Sequence, residues 1–260
     1  MSKGGRNKMS FRGKFVDYYE IFFADKKFDD LSIKVIELCK KYINDFEYIL
    51  DFGCGTGVFD IRFAKEGYSV YGVDISRDMI KYAKEHNFLN NKIKYINGDI
   101  KNIKIDKMFD VVCALSHVIC YQVSNESLMG VFMNAYKHLR RGGIFIFDVY
   151  HQAAIMKNGF ESRIKKVENK GVRITRFSNI KNYSIESYFK VYYQYLIEDN
   201  CSPIFLRMSD KMRYFSIKEL DFYLRVAGFS RVDFMGDILL RGGGGKINEK
   251  MNNIYVVAVK

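Results

Sequence analysis

The run Tyr48-Ile49-Leu50-Asp51-Phe52-Gly53-Cys54-Gly55-Thr56-Gly57 constrains this chain more than any other stretch. It is an apolar strand that ends in an acid and turns through three alternating glycines. Asp74 follows 23 residues after Asp51, at the end of another apolar run, and Asp99 follows 25 after that. A glycine-rich turn after a first strand lets the backbone come close to a nucleotide-like ligand, and an acid at the tip of the second strand suits a ribose diol. The glycine spacing separates two ligand classes. A dinucleotide turn would put its third glycine at position 58, which is Val58. Asp51, beside the turn, would repel a pyrophosphate but suits a cation.

The segments around this run alternate. Helical spacing of apolar residues predicts a helix over Asp29–Asp45, and strand one and its turn follow. A helix over Val58–Glu66, a strand over Ser69–Asp74 and a helix over Arg77–His86 capped by Ser76 come next. Ile93–Asn97 reads as strand three and Phe109–Leu115 as a buried strand four. Glu126–Leu139 reads as a helix stopped by Gly142-Gly143, and Ile144–Asp148 as strand five. This alternation predicts an α/β fold with a doubly wound parallel sheet. After His151 the pattern changes. Ser162–Val167, Val172–Phe177, Ser184–Leu196 and Phe205–Tyr214 are rich in β-branched and aromatic residues, separated by turn signals that include Asn182. They predict an antiparallel β insert. Ser216 and Glu219 form a capping box that opens a helix to Ala227, ended by Gly228. Two closing strands, Arg231–Asp237 and Ile254–Val259, flank a glycine run, Gly242–Gly245. The expected organisation is a flexible basic arm at 1–14, a core with N-terminal helices at 15–150, the insert at 151–215, and the end of the core at 216–260.

The Asp51–Gly57 run, with Asp74 and Gly98-Asp99-Ile100 in order behind it, resembles the signature loop of class I S-adenosylmethionine (SAM)-dependent methyltransferases. The resemblance implies a mostly parallel, seven-stranded Rossmann-like sheet, SAM as cofactor with S-adenosylhomocysteine as product, and no metal. It also implies roles. Gly53, Cys54, Gly55 and Gly57 leave room for the amino-acid end of SAM, and Asp51 receives its ammonium. Asp74 takes the ribose hydroxyls, Ile75 and Met79 sandwich the adenine, and Asp99 with the amide of Ile100 reads the adenine edge. Leu115 closes the pocket at strand four. An N-terminal Tyr-rich segment acts as a lid in this family. Tyr19 is its candidate toward the cofactor and Tyr18 toward the substrate.

Beyond the core, residues 15–260 are similar to small-molecule methyltransferases of nucleotide-sugar and surface-polysaccharide pathways. The likeness rests on Asp17-Tyr18-Tyr19, Ser116–Gln122, Phe147–Tyr150 and Met212–Phe215. Relatives often carry Trp-Tyr where this chain has Tyr150-His151, which leaves the methyl acceptor open. The resemblance implies that the insert forms the substrate wall and a homodimer surface. Tyr150, Arg213 and Arg241 are then candidate substrate contacts, with Lys246 beside them.

Ligands of open α/β sheets bind outside the carboxyl ends of the strands. Two of the four histidines, His117 and His151, follow strands four and five, and Tyr121 is close by. These three are candidates for a general base or for substrate positioning, with a hydrogen-bonded pocket wall as the competing reading of each. His86 and His138 lie on helices away from the crevice. No Asn-Pro-Pro-Tyr run follows strand four, no Pro-Cys precedes a nucleophilic thiol, and no His/Cys cluster has metal spacing.

Composition bounds the partners. The chain has 260 residues, 48% of them hydrophobic, and no apolar run approaching the roughly 20 residues of a membrane span. The charged N-terminus lacks the apolar segment of a secretory signal. Five scattered cysteines fit buried thiols in a reducing, cytoplasmic setting. The net charge of +12 fits either a phosphate-bearing partner or a surface solvated by lysine. Lys3, Arg6, Lys8, Arg12 and Lys14 concentrate charge at the start. The leading expectation is an N- or O-methyltransferase acting on a small anionic metabolite. The alternatives are an RNA or protein methyltransferase, which the basic arm favours and the lack of an added RNA-binding module disfavours, and a SAM-binding protein without catalysis.

Overall fold

The computed structural model describes residues 11–89, 91–169, 171–199, 202–239 and 245–260. Helices α1 (Phe15–Phe22) and α2 (Phe28–Lys40) lead into β1 (Tyr48–Phe52). Then come α3 (Val58–Lys65), β2 (Ser69–Asp74), α4 (Arg77–His86), β3 (Ile93–Asn97) and β4 (Phe109–Ala114). A single 3-10 turn, Val118–Tyr121, precedes α5 (Asn125–His138) and β5 (Leu139–Tyr150). A short α6 (Gln152–Asn158) opens the insert of β6 (Arg163–Asn169), β7 (Val172–Tyr183), β8 (Tyr188–Glu198) and β9 (Ile204–Arg213). The chain closes with α7 (Ile217–Val226), β10 (Arg231–Met235) and β11 (Asn253–Val259).

The main sheet has seven strands in the order β10-β11-β5-β4-β1-β2-β3. β1 to β5 are parallel, and β11 runs antiparallel between β5 and β10. Strand order reverses between β1 and β4, which opens a crevice at their carboxyl ends. Both faces are covered, and strand alternation sorts side chains between them. Leu50, Val112, Phe145 and Phe147 pack against Leu128, Val131 and Phe132 of α5 and Leu220 and Leu224 of α7. Ile49, Val111, Ile144 and Ile146 pack against Val35 and Leu38 of α2, Phe59 and Phe63 of α3, and Ile80 of α4. All six residues of β4 are buried, as a central parallel strand requires.

The insert is a separate four-stranded antiparallel meander, β6-β7-β8-β9. Its base joins the main core through Phe189, Val191, Met212 and Tyr214. Its other end packs Ile174, Tyr195 and Ile197 against Phe15 and Phe22 of α1. The N-terminal helix is thereby held between the insert and the crevice.

Four local expectations change. Gly142-Gly143 do not stop α5, because Leu139 already turns extended after His138. The glycines instead form a bulge in β5, between the pairs Phe109↔Leu139 and Val111↔Ile144. Gly142 has φ +76, and a Cβ on Gly143 would meet the carbonyls of Arg140 and Asp110 at 2.9 Å. Asn182 lies within β7 and bonds to Tyr214, so the β7–β8 turn falls at 184–187, where Ser187 has φ +55. Helix α2 ends at Lys40, short of Asp45, and α6 occupies a stretch with no expected element. The capping box of α7 forms as read. The arm residues Lys3, Arg6 and Lys8, together with Cys201, Arg241 and Gly242–Gly244, lie outside the described residues.

Candidate active site

The glycine turn is built by its backbone. Gly53, Gly55 and Gly57 have φ of +80, +57 and +78, values that L side chains rarely adopt. A Cβ on Gly53 would lie 2.5 Å from Val118, and one on Gly57 would collide with the Tyr95 hydroxyl. A Cβ on Gly55 would meet nothing within 4 Å. The turn is therefore packed from two sides and open at its middle residue, into the crevice.

Asp51 sits at the end of β1, only 2% exposed. It pairs with Gly72 on one side and Cys113 on the other. Cys113 Sγ donates to Asp51 Oδ1 at 3.3 Å. Burial pushes the Asp51 carboxyl up to about 6. Burial likewise raises the Cys54 and Cys113 thiols, so neither is a reactive thiolate. Asp74 accepts from Ser76 N at 2.7 Å and Gly55 N at 2.9 Å, which braces the turn against β2. Burial raises its carboxyl, and these two amides oppose the rise. A carboxylate offers about four acceptor positions, so roughly two remain for a ligand. Ile75 is 51% exposed at the crevice, whereas Met79 is buried beneath it. Asp99 pairs with Lys101 at 3.2 Å, and the Ile100 carbonyl is held by Asn134. Leu115 is buried at the end of β4.

The N-terminal segment crosses the mouth of this crevice. Phe11 O accepts from Ser76 Oγ at 2.5 Å, and Gly13 N donates to Asp78 at 2.7 Å. The Phe11 ring meets Tyr19 and Tyr121 edge-on, at 6.1 and 5.9 Å. Burial raises the Tyr19 phenol, with the Asp74 charge next in effect, so Tyr19 lies near Asp74. Tyr18 points elsewhere. Its hydroxyl donates to Asp199 at 2.5 Å and ties α1 to the insert.

The loop after β4 is strained. Ser116 and His117 have φ of +61 and +65, two consecutive left-handed residues that are not glycine. The His117 amide donates to both oxygens of Asp148, each at 3.2 Å. The ring stacks on Tyr150 at 4.0 Å, with Nδ1 3.4 Å from Asp148 Oδ2 and Nε2 2.9 Å from Asn253 Oδ1. Both ring nitrogens are occupied, and the imidazole acts as a strut between β5 and β11. Tyr121 lies among Asp210, Tyr193, Tyr150 and Tyr19, and burial holds its hydroxyl protonated. The same holds for Tyr150. His151 is not in this group. It is 7% exposed, its ring bonds the Met251 backbone, its Nδ1 is buried without a partner, and burial lowers its pKa. Arg213 is also committed elsewhere, to an ion pair with Glu219 and a bond to Val123 O at 3.2 Å. Arg241 lies outside the described residues. His138 receives the Ile105 amide and is structural, and His86 stacks on Tyr82.

Several site residues carry no motif in the sequence. Asn97 clamps the β2–α4 turn through Asp74 O at 2.9 Å and Ile75 O at 3.1 Å. Lys26 Nζ lies over the Phe23 ring at 4.6 Å, and desolvation lowers its pKa while Asp148 opposes this. Arg176 of β7 lies over Phe22 and Tyr193, at 5.0 and 5.4 Å, and its Nε is buried without a partner. It lines a cavity of about 330 Å³ with Tyr150, Phe160, Arg163, Phe189 and Tyr193. A larger groove, about 530 Å³, lies between the 101–108 loop and α5; its buried polar side chains, Asn134 and His138, are taken up by backbone groups of Ile100, Ile103 and Ile105. Among the described residues, no group of three or more His, Cys, Asp or Glu side chains is arranged to hold a metal. No described helix is long and apolar enough to cross a membrane.

Residues 49–143 match the family model described as a methyltransferase domain. This segment is a methyltransferase domain. It contains the glycine turn, all three acids and His117. A putative methyltransferase, YqeM of Bacillus subtilis (strain 168), is 31% identical over 103 residues, which cover 39% of this chain and 42% of that relative. The chain thus spans less than half the length of this relative. The sugar N-methyltransferase KedS8 from Streptoalloteichus sp ATCC 53650 superposes with a TM-score of 0.80 at 18% identity, over 100% of this chain and 97% of that one. SAM-bound CalS10, an amino pentose methyltransferase from Micromonospora echinaspora, gives 0.74 at 16% identity, over 98% of this chain and 100% of that one. The Rossmann-like methyltransferase fold therefore extends beyond the matched domain and includes the insert.

Proposed function

We propose that this protein is a SAM-dependent methyltransferase whose acceptor is a nitrogen or oxygen of a small, anionic metabolite, with an activated amino sugar as the leading class. The observation that carries the reading is the trio of acids at the ends of β1, β2 and β3, set around a glycine turn that is open only at Gly55. The donor set fits SAM group by group. Asp51 suits its ammonium, Asp74 has acceptor positions left for the ribose diol, and exposed Ile75 offers an apolar surface to the adenine beside Asp99 and Ile100. When bound, SAM supplies an electrophilic methyl group.

The chain's own residues then orient the acceptor and exclude water. An in-line displacement gains much of its acceleration from such positioning. The phenols of Tyr121 and Tyr150 stay protonated and act as hydrogen-bond donors rather than bases. Both ring nitrogens of His117 face oxygens of the protein, Asp148 Oδ2 and Asn253 Oδ1, so neither is directed at the acceptor as a base. This favours an amine that is bound neutral over a hydroxyl that needs a base. The sugar N-methyltransferase neighbours support the same class. The cavity beyond Tyr150 suits the remainder of the acceptor, with Arg176 and Arg163 facing its anionic group. The outer face of the insert exposes Ile164, Phe177 and Phe205, which suits a homodimer, and light scattering tests that.

The test is conversion of SAM to S-adenosylhomocysteine against nucleotide-activated amino sugars, small phosphorylated metabolites and bulk tRNA. Turnover with an activated sugar, abolished by Asp74→Ala, is expected. In Arg176→Gln the KM for that acceptor should rise about tenfold or more, as for loss of a charge-assisted bond, with SAM affinity unchanged. Turnover confined to tRNA would replace the small-molecule reading with the nucleic-acid one.

A further inference from the structure

A second carboxyl group lies directly beneath the glycine turn. Asp60, in the first turn of α3, is fully buried on the apolar face formed by Phe59, Phe63 and Ala64. The strand it packs against makes room for it. A Cβ on Gly72 would collide with Asp60 Oδ2, and Gly72 is the cross-strand partner of Asp51. Asp60 and Asp51 are within hydrogen-bonding reach of each other. Neither oxygen of Asp60 receives an N–H or hydroxyl from the rest of the protein, and the nearby Tyr95 hydroxyl is likewise without a partner. The groups facing the pair are the Cys54 thiol from the turn, Cys113 from β4, Tyr95 from β3 and Asp74 from the end of β2. None of these is a cation.

A charged carboxylate whose one neighbouring donor is the weak Cys54 thiol, and which has no counter-charge, does not persist in such a site. We propose that Asp60 is a positioning residue for the cofactor: held uncharged beneath the turn, it donates a hydrogen bond to Asp51 and so keeps that carboxylate ionised to receive the ammonium of SAM. The proton stays on Asp60 throughout, and the single charge of the pair resides on Asp51. This inference rests on the cofactor reading above and adds a residue outside the glycine motif to it. Burial raises Asp60 well above the usual carboxylate range, and Asp51 adds to the rise, in accord with this assignment.

The experiment is calorimetric titration of the full chain with S-adenosylhomocysteine, from about pH 5 to about pH 8, in the wild type, Asp60→Asn and Asp60→Leu. The wild-type affinity should fall as pH drops through about 6, where Asp51 gains its proton. Asp60→Asn keeps a neutral donor and should stay within about threefold of the wild type throughout. Asp60→Leu removes the donor, so protonation of Asp51 moves to higher pH. Its affinity relative to the wild type should be about tenfold lower near pH 6.5 and recover towards parity by about pH 8. Taking the ratio to wild type cancels titration of the ligand's own amine. A loss in Asp60→Leu that is constant across pH would mean a merely structural role and overturn the proposal. If Asp60→Leu does not fold, Asp60→Asn still decides: a loss of about tenfold or more near neutral pH would mean that the charged form of Asp60 is required. Absence of wild-type binding at every pH would sink the cofactor reading itself.

Discussion

Ser116 and His117 show how single residues at this site are spent. Two adjacent left-handed conformations cost roughly 1–2 kcal/mol each, and they persist because the surroundings fix them. The His117 amide is held by Asp148, and its ring is held by Asn253 and Tyr150. The strain turns the loop after β4 back toward the crevice and aims Tyr121 at Tyr19 and Tyr150. Replacing His117 with Ala should reduce kcat by about tenfold to a hundredfold through loss of acceptor positioning, with S-adenosylhomocysteine affinity unchanged. Steady-state kinetics beside a binding titration checks this. An equal loss in both quantities would place His117 in general folding instead. The position of His117 after β4 was legible, because β4 reads from its own apolar run. Its hydrogen-bond partners were not, because Asn253 is 136 residues away and only the β5–β11 register brings it near. His151 carried the same positional signal, yet its ring turns to the Met251 backbone.

At the scale of elements, Arg213 joins three pieces. It ends β9, pairs with Glu219 in the first turn of α7, and holds Val123 beyond the 3-10 turn. It is 8% exposed, so its guanidinium is largely desolvated. Removing one partner of a fully buried pair costs about 3–5 kcal/mol; Glu219 is partly open, so Arg213→Ala should cost about 2–3 kcal/mol. Denaturant unfolding measures this as a lower midpoint with unchanged slope. A change below about 0.5 kcal/mol would show that the pair is no more than a surface contact. The capping box of α7 was readable because it is local, four residues making their own bonds. The fate of Gly142-Gly143 was not. A glycine pair after a helix is a common stop signal, but here Gly142 N donates to Lys260 O and Lys260 N to Gly143 O, so Lys260, directly after β11, ties the pair into a bulge in β5.

At the scale of the whole molecule, stability is coupled to the charge of Asp51. Asp51 is raised from 3.8 to about 6 in the folded protein. A carboxyl that binds its proton more tightly when folded adds stability at low pH, and that stability is lost as pH rises from about 4 through about 6. At neutral pH the ligand-free protein therefore carries an ionised, buried Asp51 at a cost of up to roughly 3 kcal/mol. Asp51→Asn should raise the melting temperature at about pH 7.5, with the gain shrinking toward about pH 5, and should weaken S-adenosylhomocysteine binding. A thermal melt series across pH tests the sign, and a gain that grows on acidification would contradict it. By itself the sequence determined the order of strands and helices apart from α6, the glycine turn, the three acids and the presence of an antiparallel insert. Each of these is written in local periodicity, turn chemistry or a short spacing, and needs no distant partner to be read. Only the tertiary structure decided which side chains converge. Arg176 reaches the cavity because β7 folds back over Tyr150, Tyr18 and Arg213 are taken up by Asp199 and Glu219, and Asp60 meets Asp51 because α3 crosses β2 where Gly72 has no side chain. Such contacts join residues far apart in the chain, and their energies depend on burial and register that no single stretch of sequence contains.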